Sequence, residues 1–334
     1  GGLKWTGLPT DVRDHLYGVT FTGENLQTGY AVGTYGKIIK TTDGGSTWKS
    51  LDAKTSEHLS KISFFNEQSG VVVGGNGLIL TTKDGGETWK SHAPCPEFTM
   101  TDAKFLNENT VIAIGQGGCV CRSEDNGETW QKVNVFSFAD FLSVDFVNEK
   151  DGWMTDANGM VWLTGDGGFT WLPFNIRTRP KLVSVQFADN FTGWAVGDNG
   201  LIIRTDDGGY SWQRLSEGGR ENINDMQFFD ENFGWAVGTR GKIWLTNDAG
   251  LNWLPVFSTT EKSLNAVHFV NEDYGFVVGD GGTILRTNNG VAGWGPGMTQ
   301  AKEDLSGVFF INRKVGFAVG ANGMILRSDD GGAY

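Results

Sequence analysis

The sequence predicts an all-β protein, a β-propeller of eight four-stranded blades. The first observation is a tryptophan period with a constant step of 41 residues, at positions 48, 89, 130, 171, 212, 253 and 294. The second is that no segment of ten or more residues has a helical period, whereas short apolar runs alternate with glycine turns. A period near 40 residues with strand-like content is typical of propeller blades.

Each unit has the same internal order of elements. A strand ending in Phe, such as "VSVQF", precedes an apolar run such as "GWAVG", a tight turn, "GLIIRT" and the box "TDDGGYSW". The glycine after the tight turn stands at 36, 77, 118, 159, 200, 241, 282 and 323. "G-D-N-G" between two apolar runs favours a hairpin. Four antiparallel strands in about 41 residues have the size of one blade.

The two ends of the chain predict how the ring closes. Eight Phe strands but only seven internal Trp strands are present, and the missing strand is found at the N-terminus. Trp5 precedes Phe21 by the same sixteen residues that separate Trp48 from Phe64. The strand around Trp5, "LKWTGLP", is therefore expected to complete the last blade by strand exchange, within a single propeller domain over residues 1–334. A seven-bladed ring with one loose unit is the alternative.

Charge and cysteine content limit the classes of function. A net charge of -12 and a pI near 4.8 argue against sequence-independent binding of nucleic acid or anionic membranes. No apolar run approaches the ~18 residues that a spanning helix needs, so no direct membrane insertion is expected. Cys95, Cys119 and Cys121 form neither a disulfide framework nor a zinc set. We expect buried thiols, no metal and no cofactor.

The recurring box predicts a structural motif rather than an active site. Its Asp can accept hydrogen bonds from its own turn, its Gly permits a special backbone conformation, and its Trp fills space between blades. A catalytic site needs one copy, whereas this Asp recurs at Asp43, Asp84, Asp125, Asp166, Asp207, Asp248 and Asp330. The neighbouring Asp206 and Asp329 are expected to be solvated.

A candidate protein-binding surface comes from basic residues in the loops between blades. Loops that leave an outer strand should share a face with the "G-D-N-G" turns, opposite the boxes. Units four to six place there the cluster Arg177, Arg179, Lys181, Arg220 and Arg240. Arginine suits ion pairs at protein interfaces. The alternative is that these are solvated loop charges.

The sequence leads to expectations for two further groups of residues, the arginines before the boxes and the phenylalanines of one loop. A second arginine set just before the boxes is expected to stack on the blade tryptophans; it consists of Arg122, Arg204, Arg286 and Arg327. The loop "VFSFADF" places Phe136, Phe138 and Phe141 near the basic sector. Exposed aromatics there would suit a protein contact, and buried ones would belong to the core.

The repeat resembles known families. "S/T-x-D-x-G-x-T/S-W" is similar to the Asp-box of bacterial neuraminidases, and "GWAVGDNGLIIRTDDGGYSW" resembles the photosystem II stability and assembly factor family. The resemblance covers essentially the whole chain. It implies an extracytoplasmic, non-enzymatic propeller that uses an arginine-rich surface to bind assembly intermediates of membrane proteins. That family is seven-bladed, whereas eight units are counted here.

The expected function is a scaffold in a periplasm or thylakoid-lumen-like compartment, with its signal peptide removed. It would dock on a membrane protein complex or assembly intermediate and bind no nucleic acid. No catalytic residues are predicted, because the constant 41-residue step leaves no room for loop insertions that build a cleft. One alternative is a carbohydrate-binding or sialidase-like glycoside-hydrolase propeller. Another is a permanent accessory subunit of a membrane transporter or photosynthetic complex.

Overall fold

The computed structural model describes residues 4–174, 176, 180–215, 220–290 and 293–331. These residues form eight four-stranded sheets, each antiparallel throughout. One sheet corresponds to one sequence repeat, so the prediction of eight blades is confirmed and the seven-bladed alternative is wrong. Within a blade the strands follow each other from the inner edge of the sheet to the outer edge.

The strands have the following bounds. The first, β1 (Thr6–Gly7), belongs to the last blade. Blade 1 contains β2 (Leu16–Thr22), β3 (Thr28–Gly33), β4 (Lys37–Thr41) and β5 (Lys49–Asp52). Blade 2 contains β6 (Leu59–Phe64), β7 (Gly70–Gly74), β8 (Ile79–Thr82) and β9 (Lys90–His92). Blade 3 contains β10 (Met100–Phe105), β11 (Val111–Gly115), β12 (Val120–Ser123) and β13 (Gln131–Val133). Blade 4 contains β14 (Phe141–Phe146), β15 (Gly152–Asp156), β16 (Val161–Thr164) and β17 (Leu172–Phe174).

The second half of the ring continues the pattern. Blade 5 contains β18 (Leu182–Phe187), β19 (Gly193–Gly197), β20 (Ile202–Thr205) and β21 (Gln213–Arg214). Blade 6 contains β22 (Ile223–Phe228), β23 (Gly234–Gly238), β24 (Ile243–Thr246) and β25 (Leu254–Val256). Blade 7 contains β26 (Leu264–Phe269), β27 (Gly275–Gly279), β28 (Thr283–Thr287) and β29 (Gly295–Pro296). Blade 8 contains β30 (Leu305–Phe310), β31 (Gly316–Gly320) and β32 (Ile325–Ser328), completed by β1.

In the part of the chain that the structure describes, helical structure is confined to single 3-10 turns between the second and third strands of the last four blades. Their bounds are Asp198–Gly200, Thr239–Gly241, Asp280–Gly282 and Ala321–Gly323. Over the described ranges, no helix combines the length and apolar character needed to cross a membrane.

The N-terminal strand closes the ring as the sequence predicted. β1 pairs antiparallel with β32, with Thr6 opposite Arg327 and Gly7 opposite Leu326. Inner strands β30 and β2 then pack side by side, as the other neighbouring inner strands do. Trp5 is 5% exposed and meets the ring of Phe310 edge-on, with 5.6 Å between ring centroids. The first and last segments of the chain therefore share one blade and one core.

Aromatic side chains hold neighbouring blades together. Trp153 of blade 4 stacks on Phe187 of blade 5 with ring centroids 3.5 Å apart, and Trp212 meets the same Phe ring edge-on at 5.8 Å. Gly193 lies under this Phe ring, where an added Cβ would come within 2.5 Å of it. The indole N–H of Trp153 donates to the carbonyl of Gly208 at 2.8 Å. Since Trp194 stacks on Phe228 and Trp235 on Phe269 at the same distance, the contact repeats with the sequence.

The inner strands line the middle of the ring and are edge strands of their sheets. Such strands leave backbone N–H groups without a ladder partner. Polar side chains of the preceding blade accept these bonds: Asp145 Oδ2 accepts from Phe187 N at 2.9 Å, and Gln186 Oε1 from Phe228 N at 2.8 Å. Asp225 accepts from Val267 N at 2.9 Å, and burial raises the pKa of its carboxyl. The polar residues of the inner strands thus serve as links between blades.

Candidate functional site

The two faces of the ring carry different connections. On one face the turn between second and third strands meets the loop that leads into the blade: Asp198 N donates to Lys181 O at 2.9 Å. We call this the turn face. On the opposite face the Asp boxes meet the turns between inner and second strands, and Gly208 N donates to Phe191 O at 2.9 Å. We call this the box face.

Three of the predicted basic residues lie together on the turn face. Lys181, Arg220 and Arg240 are all exposed. Asn222 connects their loops, because its Oδ1 accepts from Asn199 N at 3.0 Å and its backbone carbonyl accepts from Thr239 N at 2.9 Å. Backbone hydrogen bonds therefore hold the entrances of blades 5 and 6 and their turns as one surface. Arg177 and Arg179 lie outside the described residues.

The charge of this surface is mixed. Glu221 lies next to Arg220 and its Oε2 accepts from Arg220 N at 3.1 Å, while Asp198 lies beside Lys181. In the described part of the chain, no ion pair holds Lys181, Arg220 or Arg240.

The neighbouring loop into blade 4 presents two aromatic side chains. Phe136 and Phe138 are each 92% exposed, whereas Phe141 is fully buried and meets Trp162 edge-on at 5.4 Å. The loop is fixed to the turn of blade 3, because Gly118 N donates to Ala139 O at 2.7 Å. The sequence treated the three Phe residues alike, but only Phe141, the first residue of β14, faces the core.

The Asp boxes are closed hydrogen-bond units. In blade 5, Asp207 Oδ1 accepts from Thr205 Oγ1 and from Ser211 N, both at 2.8 Å, and Oδ2 accepts from Ser211 Oγ at 2.6 Å. Thr205 Oγ1 in turn accepts from Gly209 N at 2.9 Å. Matching bonds surround Asp43, Asp84, Asp125, Asp166 and Asp248. A carboxylate with both oxygens engaged in its own turn is poorly placed to attack or protonate a substrate.

The Asp boxes are expected to make the folding stability of the protein depend on pH in the acid range. Desolvation raises the pKa of Asp43, but hydrogen bonds from Thr47 and Thr41 outweigh it and lower the pKa to about 2. The same balance lowers the pKa of Asp125 to about 2. A folded-state pKa below the unfolded value gives stability above an ordinary Asp pKa of ~4 that is lost as pH falls toward the folded value. We expect the urea midpoint of unfolding to drop steeply between pH ~4 and ~2.

The control for this acid dependence is Asp43→Asn, which cannot titrate and should reduce the slope of midpoint against pH. An unchanged midpoint from pH 5 to pH 2 would contradict a stabilising role of the ionised boxes.

Among the described contacts, Arg122 and Arg204 bond to backbone carbonyls and Arg327 lies over Phe317, so the predicted stacking on tryptophans is wrong for these three. Arg122 Nε donates to Gly167 O at 2.9 Å and Arg204 Nε to Ala249 O at 2.9 Å, each in the box of the next blade. Arg122 also lies over the ring of Phe169, at 3.8 Å from its centroid. Carbonyl oxygens at the box turn attract the guanidinium because it offers five N–H donors in a planar fork. Asp206 is exposed as expected, but it also pairs with Arg204 at 3.5 Å.

The cysteines form a buried cluster in blade 3. Cys95 and Cys119 are joined by a disulfide, so the expectation of free thiols is wrong for them. The free Cys121 thiol lies 3.6 Å from Cys119 Sγ and 3.8 Å from Cys95 Sγ, and burial raises its pKa to about 12. Within the described ranges this is the one group of His, Cys, Asp or Glu side chains close enough to share a metal ion. Because two of its sulfurs are bonded to each other, it serves as a covalent link.

Comparison with known proteins agrees with this architecture. The family model described as photosynthesis system II assembly factor YCF48 matches residues 2–94, 131–220, 217–295 and 252–334. Curated protein sequences give no significant match. At under 25% identity, similar solved structures show the fold alone.

Three such structures cover almost the whole ring. YCF48 from Cyanidioschyzon merolae is 18% identical, with 97% of this chain and 98% of that chain covered and a TM-score of 0.66. YCF48 bound to a D1 peptide is 19% identical, with 97% and 94% covered and a TM-score of 0.66. The C-terminal WD40 domain of Sif2 is 11% identical, with 97% and 98% covered and a TM-score of 0.79. Since the family model matches most of the sequence, the chain belongs to the photosynthesis system II assembly factor YCF48 family.

Proposed function

We propose that the protein is a non-enzymatic scaffold outside the cytoplasm that docks through its turn face on a membrane protein complex or its assembly intermediate. One observation carries the proposal. Exposed Lys181, Arg220 and Arg240 gather on the turn face of a chain whose net charge is -12. A local excess of cations on an acidic protein is the electrostatic signature of a docking site for a partner with carboxylates.

The chemistry of this surface suits an extended acidic segment. Guanidinium groups bind carboxylates in a planar, bidentate geometry, and exposed aromatics next to them supply apolar anchors. Phe136 and Phe138 offer such anchors on the loop into blade 4, and Lys181 lies on the loop into blade 5. Because a solved structure shows YCF48 bound to a D1 peptide, we infer that the client segment of this protein is a peptide similar to that D1 peptide.

The compartment is supported by the disulfide. A buried bond between Cys95 and Cys119 persists in oxidising environments such as a periplasm, and it is rare in a reducing cytosol. A scaffold that meets a membrane complex from the oxidising side is consistent with this bond.

The proposal includes the absence of catalysis. Among the described residues, the arrangement nearest to a catalytic pair is His15 Nε2 at 2.8 Å from Ser306 Oγ. Burial lowers the pKa of His15, and this outweighs the opposite effect of Asp304, whose carboxylate accepts from Gly281 N at 2.7 Å. A serine nucleophile also needs hydrogen-bond donors that stabilise the oxyanion formed during the reaction, so the contact between His15 and Ser306 is not by itself a catalytic site. Turnover in a hydrolase screen that disappears in Ser306→Ala would contradict the non-enzymatic assignment.

Charge reversal tests the docking surface. In the variant Lys181→Glu, Arg220→Glu, Arg240→Glu, we expect the affinity for a synthetic D1 peptide to fall about 10-fold, because exposed ion pairs are worth ~0.2–1 kcal/mol each and reversal adds repulsion. The loss should shrink as salt is raised. Fluorescence anisotropy of a labelled peptide measures the dissociation constant.

The matched control is Lys49→Glu, Lys132→Glu, Lys314→Glu, which changes the net charge equally at exposed positions away from the turn face. We expect this control to bind the peptide nearly as the unaltered protein does. If both variants lost the same affinity for the peptide, the loss would be due to the overall charge of the protein, and the turn-face docking site would be contradicted. No binding of the peptide to the unaltered protein would exclude a D1-like client.

A further inference from the structure

The 41-residue repeat allows every seam between blades to be compared at equivalent positions on the box face. Three positions recur at each seam: the residue after the box Trp, a residue of the turn between the next blade's inner and second strands, and the residue two before the next box Trp. At five of the six seams whose positions are all described, polar or charged side chains occupy at least two of them: Thr6, Gln27, Ser46; Lys49, Gln68, Glu87; Lys90, Asn109, Glu128; Gln131, Lys150, Phe169; and Gln213, Asn232, Leu251.

The seam between blades 4 and 5 differs from the other five. Its three positions hold Leu172, Phe191 and Tyr210, and the exposed fractions of these residues are 60%, 65% and 67%. At the equivalent seam between blades 2 and 3, Lys90 forms an ion pair with Glu128 at 2.7 Å. The seam between blades 4 and 5 thus exposes three large, mainly apolar side chains to water, where the seam between blades 2 and 3 exposes an ion pair.

These side chains surround a cavity of about 340 Å³. Its floor includes Trp153 and Leu163, which are 1% and 8% exposed. The wall is held in place, because Phe174 meets the Tyr210 ring edge-on at 5.6 Å and Phe191 O accepts from Gly208 N at 2.9 Å. A pre-formed cavity with large apolar side chains at its edge and a buried floor has the usual shape of a binding pocket.

The charge around the cavity is negative, and this determines which kind of partner segment would bind there. Carboxylates of Asp151 and Asp207 lie among the described lining residues, and none of these is Lys or Arg. Asp151 Oδ2 accepts from the Nδ2 groups of Asn148 and Asn190, at 2.9 and 3.2 Å, so the negative charge is fixed in position. A cation adjacent to an apolar anchor complements this arrangement.

We propose that this pocket, on the box face between blades 4 and 5, binds an aromatic or leucine side chain of a partner polypeptide whose neighbouring residues are Lys or Arg. Large apolar anchors that enter a pocket supply most of the energy of a protein interface. The site lies on the face opposite the turn face, so it adds a second docking site. The pocket prefers a cationic segment, whereas the turn face prefers an acidic one. A scaffold with both sites can hold two different segments at once.

The test uses residues that the chain itself carries at another seam. The exchange variant Leu172→Lys, Phe191→Asn, Tyr210→Glu installs the set Lys90, Asn109, Glu128, which the fold already accommodates. The matched control Gln213→Lys, Leu251→Glu installs the same set at the next seam, where Asn232 is already present. Both variants keep the net charge of the protein.

The probe is a random dodecapeptide library displayed on phage. Selection is carried out on the variant Lys181→Gln, Arg220→Gln, Arg240→Gln, which removes the cations of the turn face without making that face acidic, so that turn-face binders are disfavoured. We expect enriched peptides to combine Phe, Tyr, Trp or Leu with adjacent Lys or Arg. Synthetic copies should bind the exchange variant about 10-fold more weakly than the unaltered protein and the control within about 2-fold.

Three results would overturn the pocket: no enriched peptide, enriched peptides without cations, or equal binding to the exchange variant and the unaltered protein. Binding of the D1 peptide to the exchange variant is the separate readout for the turn face. Loss of one activity without the other therefore distinguishes a failure of this inference from a failure of the proposed function.

Discussion

Replacement of Trp5 by Ala is expected to lower the free energy of unfolding by about 3–5 kcal/mol, the range for large aromatic side chains removed from a core. Trp5 is 5% exposed, and its ring lies edge-on to those of Phe276 and Phe310. Its backbone N–H also donates to Met298 O at 3.1 Å. The adjacent β1 has only two residues, so little else holds the closing strand in place.

Urea unfolding followed by tryptophan fluorescence measures this change, with far-ultraviolet circular dichroism to correct for the lost fluorophore. The control is Lys4→Ala, which alters an exposed neighbour and should leave the midpoint nearly unchanged. A loss below about 1 kcal/mol for Trp5→Ala, as at an ordinary surface site, would contradict closure of the ring by this strand.

Replacement of Cys95 by Ser is expected to cost about 3 kcal/mol, because the lost disulfide spans 24 residues and no longer restrains the unfolded chain. Cys95 is the informative position. Its removal leaves Cys119, which directly precedes β12, and Cys121, whose sulfurs are 3.6 Å apart but which stand only two residues apart along an extended backbone, a spacing that disfavours a disulfide. Replacement of Cys119 instead leaves Cys95 with the Cys121 sulfur at 3.8 Å as a second partner.

The measurement is the urea midpoint with and without a phosphine reductant. The unaltered protein should lose stability under reduction and approach the Cys95→Ser variant, whose midpoint should not respond. Cys121→Ser serves as the control, since its parent thiol is free, and the response to reductant should persist. A Cys95→Ser protein as stable as the oxidised parent would contradict a stabilising disulfide.

The repeat explains why the fold could be predicted so fully from the sequence. In most blades the Phe that ends the inner strand packs edge-on against the Trp that directly precedes the outer strand, so Trp and Phe recur at fixed spacing. The sixteen residues between Trp5 and Phe21 therefore revealed the closing strand. The period of 41 residues arises because each blade packs against the blades next to it in sequence. These contacts therefore join segments that are close along the chain. Strand order and closure follow from this period directly.

The features that were missed depend on side-chain contacts, either between blades or within one blade, that cannot be identified from the spacing of the repeats alone. Arg122 donates to the box of the next blade, 45 residues along the chain, and this contact competes with stacking on a tryptophan. Cys95 meets Cys119 because the loop into blade 3 folds back over its own third strand. The pocket of Leu172, Phe191 and Tyr210 draws on two blades, so it becomes visible only when the seams are aligned in space.

The most direct test of the turn-face account is hydrogen–deuterium exchange of the protein with and without a D1 peptide. We expect slower exchange in the turns Asp198–Gly200 and Thr239–Gly241 and in the loops that contain Phe138 and Lys181. Exchange in the Asp boxes of the opposite face should stay unchanged. Protection confined to the box face, or no protection at saturating peptide, would contradict docking through the turn face.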